Sequence, residues 1–370
     1  MFRRKPAPVQ PPPPPAFPKT LAELGFRLLD EDKPLRKITG ERFKFRVKHD
    51  DKEYNERHMI AVAETVGEEV ERHLQEHYGC AKVNVPLGVP DDEPHSYVFY
   101  SKDYTSNADK LLVLVSERNN RVGQWDRRYL FDVSVQNGAM FGYIQQAFSE
   151  GYAVLVTNTN TNYWRKGRSL KYIDIPGNED GVAHLRTVFR DIIPLSPAKI
   201  INIVAVGYGA LCVIDMLGEF TGVFRERVAF INALESHHSA DSLPTAGCKH
   251  TINWVVSNKQ RATEVKDERF GCCCLAIEQR KLVFQSFNGQ LQVVDDEEDA
   301  EGRDEAEELF TVFDADNVVY AGGDAPPGTM DASTFVDVAT PTATISVIDD
   351  VQGEAELPAT APAEAGEKPE

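Results

Sequence analysis

Five continuous runs of apolar residues punctuate the chain: LLVLV (111–115), YAVLVT (152–157), IINIVAV (200–206), VAFINA (228–233) and TINWVV (251–256). None alternates apolar with polar positions, so each reads as a strand covered on both faces rather than one with a wet side. Amphipathic segments near 139–149, 181–193 and 209–220 separate the runs and read as helices. Earlier in the chain, residues 57–78 place Met59, Ala63, Val66, Val70 and Leu74 at helical spacing. FKFRV (43–47) and SYVFY (96–100) read as shorter strands. Buried strands alternating with helices predict an α/β fold with a mainly parallel sheet and helices on both faces. One domain over about 19–289 accounts for the pattern, and no internal repeat is visible.

The flanks have a different character. Residues 1–18 contain Pro11 through Pro15 and predict an extended, polyproline-like tail. From about 290 the chain carries DDEEDAEGRDEAEEL and then Ala, Pro, Thr and Gly, a composition that predicts a mostly disordered acidic tail over 290–370. The net charge of −18 follows largely from that tail, and it disfavours a nucleic-acid-binding surface, so no direct nucleic-acid partner is predicted. A proline run stands where the apolar part of a secretory signal would be, and no apolar stretch is long enough to cross a membrane. The six cysteines lack paired spacing, which predicts a reduced, nucleo-cytoplasmic protein.

The apolar run 200–206 leads through Gly207-Tyr208-Gly209 directly into a predicted helix, a place where chemistry can occur. As a dinucleotide turn the stretch has the first two glycines of G-x-G-x-x-G, but Cys212 stands at the third, where helix and strand must approach closely. As the G-x-S-x-G elbow of a hydrolase, Ala205 to Gly209 have the right small residues around a bend, but the nucleophile position is Gly207. His73-Leu74-Gln75-Glu76-His77 matches an inverted zinc-protease motif, with no second helix offering a third ligand, so packed or solvated histidines are expected. Glu235 beside His237 and His238 follows an apolar run and forms a loop cluster whose neighbouring side chains diverge. Cys272, Cys273 and Cys274 lack chelating spacing and are expected to be buried small apolar residues. No cofactor and no metal are predicted.

Several phrases occur in a fixed order: FPKTLAELGFRL (17–28), LRKITGERFKF (35–45), EPHSYVFYSKDYTSNADKLLVLV (93–115), GQWDRR (123–128), EGYAVLVTNTNTNY (150–163) and NWVVSN (253–258). Together they resemble the Argonaute-binding (Arb-type) domain family, which includes fungal Argonaute-binding proteins of heterochromatin complexes and animal cotranscriptional regulators. The resemblance implies an α/β-hydrolase-like fold, with a serine hydrolase site in some members. In those, a His-Gly-Ser-Gly segment precedes the elbow; here Ser116-Glu117-Arg118-Asn119 stands in its place, without the glycines. The elbow serine corresponds to Gly207, the acid to Glu235, and the late histidine falls near Cys272, with no histidine after His250. The implied reading is a degenerate elbow used as a nuclear interaction module, with an Argonaute or a chromatin or RNA-processing complex as partner. The rival is an active serine- or cysteine-type hydrolase with a relocated nucleophile, for instance Ser116, Ser236 or a cysteine of 272–274.

Overall fold

In the computed structural model, eight strands build the central sheet: β1 (Ala81–Val85), β2 (Ser96–Tyr100), β3 (Lys110–Val115), β4 (Tyr152–Val156), β5 (Ile200–Val206), β6 (Val228–Leu234), β7 (Thr251–Val256) and β8 (Cys273–Ile277). The structure describes residues 16–28, 34–166, 172–243, 251–259 and 263–277, so the proline run Pro11–Pro15 and the acidic tail lie outside the described residues. Across the sheet the order is β1-β2-β4-β3-β5-β6-β7-β8. Strands β3 to β8 run parallel to one another, and β2 is antiparallel to both β1 and β4. The mainly parallel sheet is what the apolar runs predicted, and its strand order is that of the α/β-hydrolase-like fold that the resemblance implied.

The period of two along each strand divides the core between two faces. Leu111, Val113 and Val115 of β3 turn to the face covered by α4 (Gly181–Thr187), α5 (Gly207–Glu219) and α6 (Thr221–Glu226), where Leu185, Val213 and Phe224 meet them. Leu114, with Val154 and Val156 of β4, turns to the face covered by α1 (Lys52–Glu76), α2 (Arg127–Asp132) and α3 (Phe141–Ser149). Both faces are dry, which is why the strands read as unbroken apolar runs. Each fully buried aliphatic side chain contributes roughly 1.5–3 kcal/mol.

Helix α1 is set by Asp51, whose carboxylate accepts the Tyr54 N–H at 3.0 Å; it ends at Glu76, and Gly79 beyond it, in the left-handed region at φ 65°, turns the chain. The predicted helix over 181–193 is broken up: α4 passes into a π-helical turn (Val188–Ile192) and a 3-10 turn (Ile193–Leu195), because Pro194 has no N–H to continue the ladder.

Three expectations are corrected. FKFRV (43–47) is not a strand. Its rings instead fill gaps: Phe43 stacks on His58 at 6.5 Å and tilts against Phe131 at 4.9 Å, so these apolar residues are spent on a cluster against α1. AKVNV and CCLAI, which carry too few apolar residues to stand out as runs, form the strands β1 and β8. The three cysteines are not all buried: Cys272, before the strand, is half-buried, while Cys273 is exposed and Cys274 buried, as alternation along β8 requires.

Candidate functional site

Strand β5 ends at Val206, and α5 begins at the next residue. The bend between them is made by Gly207 at φ 50°, a conformation that costs any side-chain-bearing residue. Gly209 is required for another reason: a Cβ there would lie 2.3 Å from the Ser116 carbonyl oxygen, so only glycine lets the first turn of α5 pass so close to the end of β3. Strand, strained turn and helix therefore have the geometry of an elbow.

The space in front of the elbow is filled from the neighbouring strand. A Cβ on Gly207 would lie 1.5 Å from Oε2 of Glu117. The other carboxylate oxygen, Oε1, accepts the Tyr208 N–H at 2.9 Å and the Arg118 N–H at 2.7 Å. In hydrolases of this fold the N–H after the nucleophile is one of the two donors that stabilise the oxyanion. Here that donor already holds an anion belonging to the chain. The Arg118 guanidinium lies 4.3 Å from the centre of the Tyr208 ring and closes over the turn. The start of α5 is thus occupied by Glu117, which also leaves the nucleotide reading of Gly207-Tyr208-Gly209 without its phosphate position.

The asparagines of NTNTNY hold this loop in place. Asn160 Nδ2 donates to the Glu117 and Asn120 carbonyls, both at 2.9 Å, and to Ser116 Oγ at 3.3 Å, while its Oδ1 accepts the Asn119 N–H at 3.1 Å. Asn162 Nδ2 donates to the Thr159 and Asn178 carbonyls at 3.2 and 3.0 Å. His184 on α4 is fully buried; its Nε2 accepts the Asn158 N–H at 3.0 Å and its Nδ1 faces Asn178 Oδ1. Nε2 must then be the unprotonated nitrogen, and burial lowers the His184 pKa to about 3. On the far side, Arg121 donates to Glu71 on α1 at 2.7 Å and to the Glu64 carbonyl at 2.9 Å, pinning the loop to the opposite layer.

Glu235 follows β6, whose Leu234 is registered with Val206, so it stands level with Gly207 one strand away. It too is left-handed, at φ 45°, and its N–H donates to the Trp254 carbonyl at 2.8 Å. The two carboxylate-bearing residues Glu117 and Glu235 therefore flank the elbow from adjacent strands. Cys272 is elsewhere. It precedes β8, and the register Cys273–Ile252–Asn232–Val204 sets it three strands from β5, on the order of 14 Å across the sheet. Ser116 is buried beneath Asn160.

A second constellation lies over β7 and β8. Ser236 Oγ is 2.7 Å from His238 Nδ1, and His238 Nε2 is 3.0 Å from the Phe270 carbonyl oxygen and 3.8 Å from Cys272 Sγ. A carbonyl only accepts, so Nε2 carries the proton and Nδ1 accepts from the serine hydroxyl. The Cys274 thiol, with help from His238 and against the opposing effect of burial, lowers the Cys272 pKa to about 5, while Cys274 itself is pushed up and stays a thiol. His237 next door is exposed, so the two histidines diverge as expected.

The zinc-type motif on α1 does not converge on a point. The rings of His73 and His77 stack at 4.7 Å, His73 packs on Phe141 at 4.6 Å, and Glu76 pairs with Arg72. Among the described residues no group of three or more His, Cys, Asp or Glu could hold a metal ion.

Sequence reasoning found the strand, turn and helix at Gly207, but not Glu117 beside the turn, nor the approach of His238 to Cys272. The first had a signal, since an acidic residue replaced the glycines of the loop before the elbow. The second had none, because 34 residues separate the partners.

Residues 17–261 match the Arb2 domain family model. Among curated proteins, the chain is 36% identical over 166 residues to a cotranscriptional regulator ARB2A homolog of Xenopus tropicalis, covering 44% of this chain and 39% of the relative. It is 36% identical over 154 residues to the human cotranscriptional regulator ARB2A, covering 41% and 36%. A cotranscriptional regulator ARB2A homolog of Dictyostelium discoideum aligns further, at 27% identity over 297 residues, covering 70% and 74%. The chain thus spans under two fifths of the length of the two vertebrate relatives that it matches. Solved structures that superpose in part include a histone deacetylase from Saccharomyces cerevisiae, with TM-score 0.38, 11% identity and coverage of 61% of this chain and 92% of the other. A bacterial heroin esterase superposes with TM-score 0.28, 14% identity and coverage of 48% and 52%.

Proposed function

The chain belongs to the Arb2 domain family, and from that premise we propose that it is a catalytically degenerate, hydrolase-like interaction module working in the nucleus. The observation that carries the reading is the Glu117 carboxylate, which fills the space a nucleophile at Gly207 would need and takes the Tyr208 N–H. The acid position is kept at Glu235, while the resemblance puts the late histidine near Cys272, whose residue is not an imidazole. Serine and histidine act as a unit, and losing either costs many orders of magnitude in acyl transfer. Losing both, with the oxyanion donor occupied, leaves binding as the use of the fold. The name cotranscriptional regulator, carried by the relatives, supports a protein partner at transcribed chromatin. By family resemblance that partner is an Argonaute or a heterochromatin or RNA-processing complex, and neither direct nucleic-acid contact nor a membrane is part of the reading.

A second reading, an active serine- or cysteine-type esterase with a relocated nucleophile, is favoured by one contact, Ser236 Oγ to His238 Nδ1 at 2.7 Å. Against it, Ser236 is only 2% exposed, too little for a substrate to reach its hydroxyl. Purified full-length protein incubated with a fluorophosphonate probe and p-nitrophenyl esters should show neither labelling nor turnover. Labelling that vanished with Ser236→Ala or Ser116→Ala would sink the degenerate reading. Tagged protein purified from nuclei at low salt should recover an Argonaute or chromatin and RNA-processing proteins, and repeated recovery of neither would end that assignment.

A further inference from the structure

Outside the central sheet, Phe26–Arg27 pairs antiparallel with Arg36–Lys37, and a turn over residues 38–40 brings Arg42 back against Arg36. The register sets Arg27 opposite Arg36 and Arg36 opposite Arg42, so three arginines stand in one row across three neighbouring segments. Residues directly opposite each other share a face, with their strands about 4.8 Å apart. That face is the outer one, since Phe26 is buried against Phe43 while Arg27 beside it is exposed. Like charges placed opposite each other destabilise a ladder, and a row of three calls for an anion. The acids of this corner are engaged: Glu41 takes Lys37 at 2.9 Å, and Asp132 on α2 is shared between Arg42 and Arg128, the latter at 3.9 Å. Among the described residues neither Arg27 nor Arg36 forms an ion pair. The turn itself carries an exposed hydroxyl, Thr39, between Ile38, which is 50% exposed, and Gly40 at φ 93°. Thr39 stands three residues after Arg36 and two after Lys37, and no other arginine of the chain has a serine or threonine three residues on.

We propose that Thr39 is a phosphorylation site for an arginine-directed serine/threonine kinase, and that the row Arg27, Arg36 and Arg42 receives the phosphate. Kinases that choose substrates by charge read cations placed just before the acceptor hydroxyl, which is where Arg36 and Lys37 stand. In the step, Thr39 Oγ forms a bond to the γ-phosphorus of a nucleoside triphosphate and the bond from that phosphorus to the bridging oxygen breaks. The nucleoside diphosphate leaves, and the hydroxyl proton passes to the base of the kinase. Pairing of two residues per strand is marginal in water, so the turn can open into the extended form that a kinase cleft takes. Once made, the phosphothreonine carries about −1.5 to −2 charge, which offsets most of a row of three cations. Guanidinium groups take phosphate oxygens in pairs, so arginine rather than lysine is the side chain suited to that row. Reach fixes the source of the phosphate, because Thr39 sits on the turn that joins two of the three arginines. The inference involves no part of the elbow, and its failure would leave the degenerate reading standing.

The test incubates the native, full-length chain with magnesium ATP and the catalytic subunit of cyclic-AMP-dependent protein kinase, with tandem mass spectrometry assigning the phosphate. Thr39 should be the principal site, Thr39→Val should remove that signal, and Arg36→Gln should slow it at least about tenfold. Phosphate elsewhere with Thr39 untouched, or an Arg36→Gln rate equal to that of the parent chain, overturns the acceptor assignment. Arg27 tests the receiving row, because it lies well before the residues that a kinase reads but stands opposite Arg36 in the fold. Followed by phosphorus magnetic resonance, the native phosphothreonine should titrate about half a pH unit or more below its ordinary value of about 6. Arg27→Gln should return part of that difference, and denaturant all of it. A native midpoint equal to the denatured one, or one that Arg27→Gln leaves in place, overturns the row as receiver.

Discussion

Gly207 and Glu117 are best understood as a pair. Gly207→Ala would add a Cβ at left-handed φ, at a cost of about 1–2 kcal/mol. It would also push the carboxylate off the Tyr208 and Arg118 N–H groups, which adds about 1.5–3 kcal/mol for each charge-assisted bond that is lost. Glu117→Ala removes the second cost in advance. Urea denaturation of both single variants and the double variant should therefore reveal a coupling of more than about 1 kcal/mol, with Gly207→Ala milder in the Glu117→Ala background. Strict additivity would mean that the carboxylate is not held where the structure puts it. The glycine was legible in the sequence as a turn residue where the resemblance implies a serine. Its partner was not, because nothing in the spacing of residues 117 and 207 says that two strands far apart in sequence end side by side.

At the scale of elements, NTNTNY is a clamp between the loop after β3 and helix α4 rather than a site in itself. Asn160→Ala removes one amide, whose two N–H donors serve three acceptors and whose oxygen takes the Asn119 N–H, and should cost about 2–3 kcal/mol. Amide exchange in that loop should quicken while the strands of the sheet stay protected; unchanged exchange would count against the clamp. His184, locked neutral between Asn158 and Asn178, makes the same junction sensitive to acid. Its folded pKa, about 3, lies below the unfolded value of about 6.5. The unfolded chain therefore binds a proton that the native state refuses. The stabilisation is complete above about pH 6.5 and falls by up to about 1.4 kcal/mol per pH unit as the pH drops toward 3. His58, depressed by burial in the aromatic cluster, adds in the same direction. Urea midpoints measured against pH should lose part of that slope in His184→Gln and keep it in the exposed His237→Gln. The strands with unbroken apolar runs were legible one by one. AKVNV and CCLAI were not, since strands toward the margins of a sheet need fewer apolar residues, and FKFRV misled because its rings are used singly against α1 rather than as a ladder.

Across the whole molecule, two apolar layers share one sheet, so the faces should unfold together. Thermal denaturation followed by far-ultraviolet circular dichroism and by tryptophan fluorescence should give a single coincident transition. The domain boundary near 289, read from composition, predicts that a chain ending there keeps the same transition midpoint, and a lower one would move the boundary outward. Composition and periodicity gave the class of fold, and the order of phrases gave the family, but the contents of the elbow depended on which strands the topology makes neighbours. That content also bears on how the turn tolerates change. A serine at 207 would bring its side chain into Glu117, and clearing Glu117 would free the Tyr208 and Arg118 N–H groups for another acceptor. The outcome of a substitution at either position is therefore decided by what stands at the other.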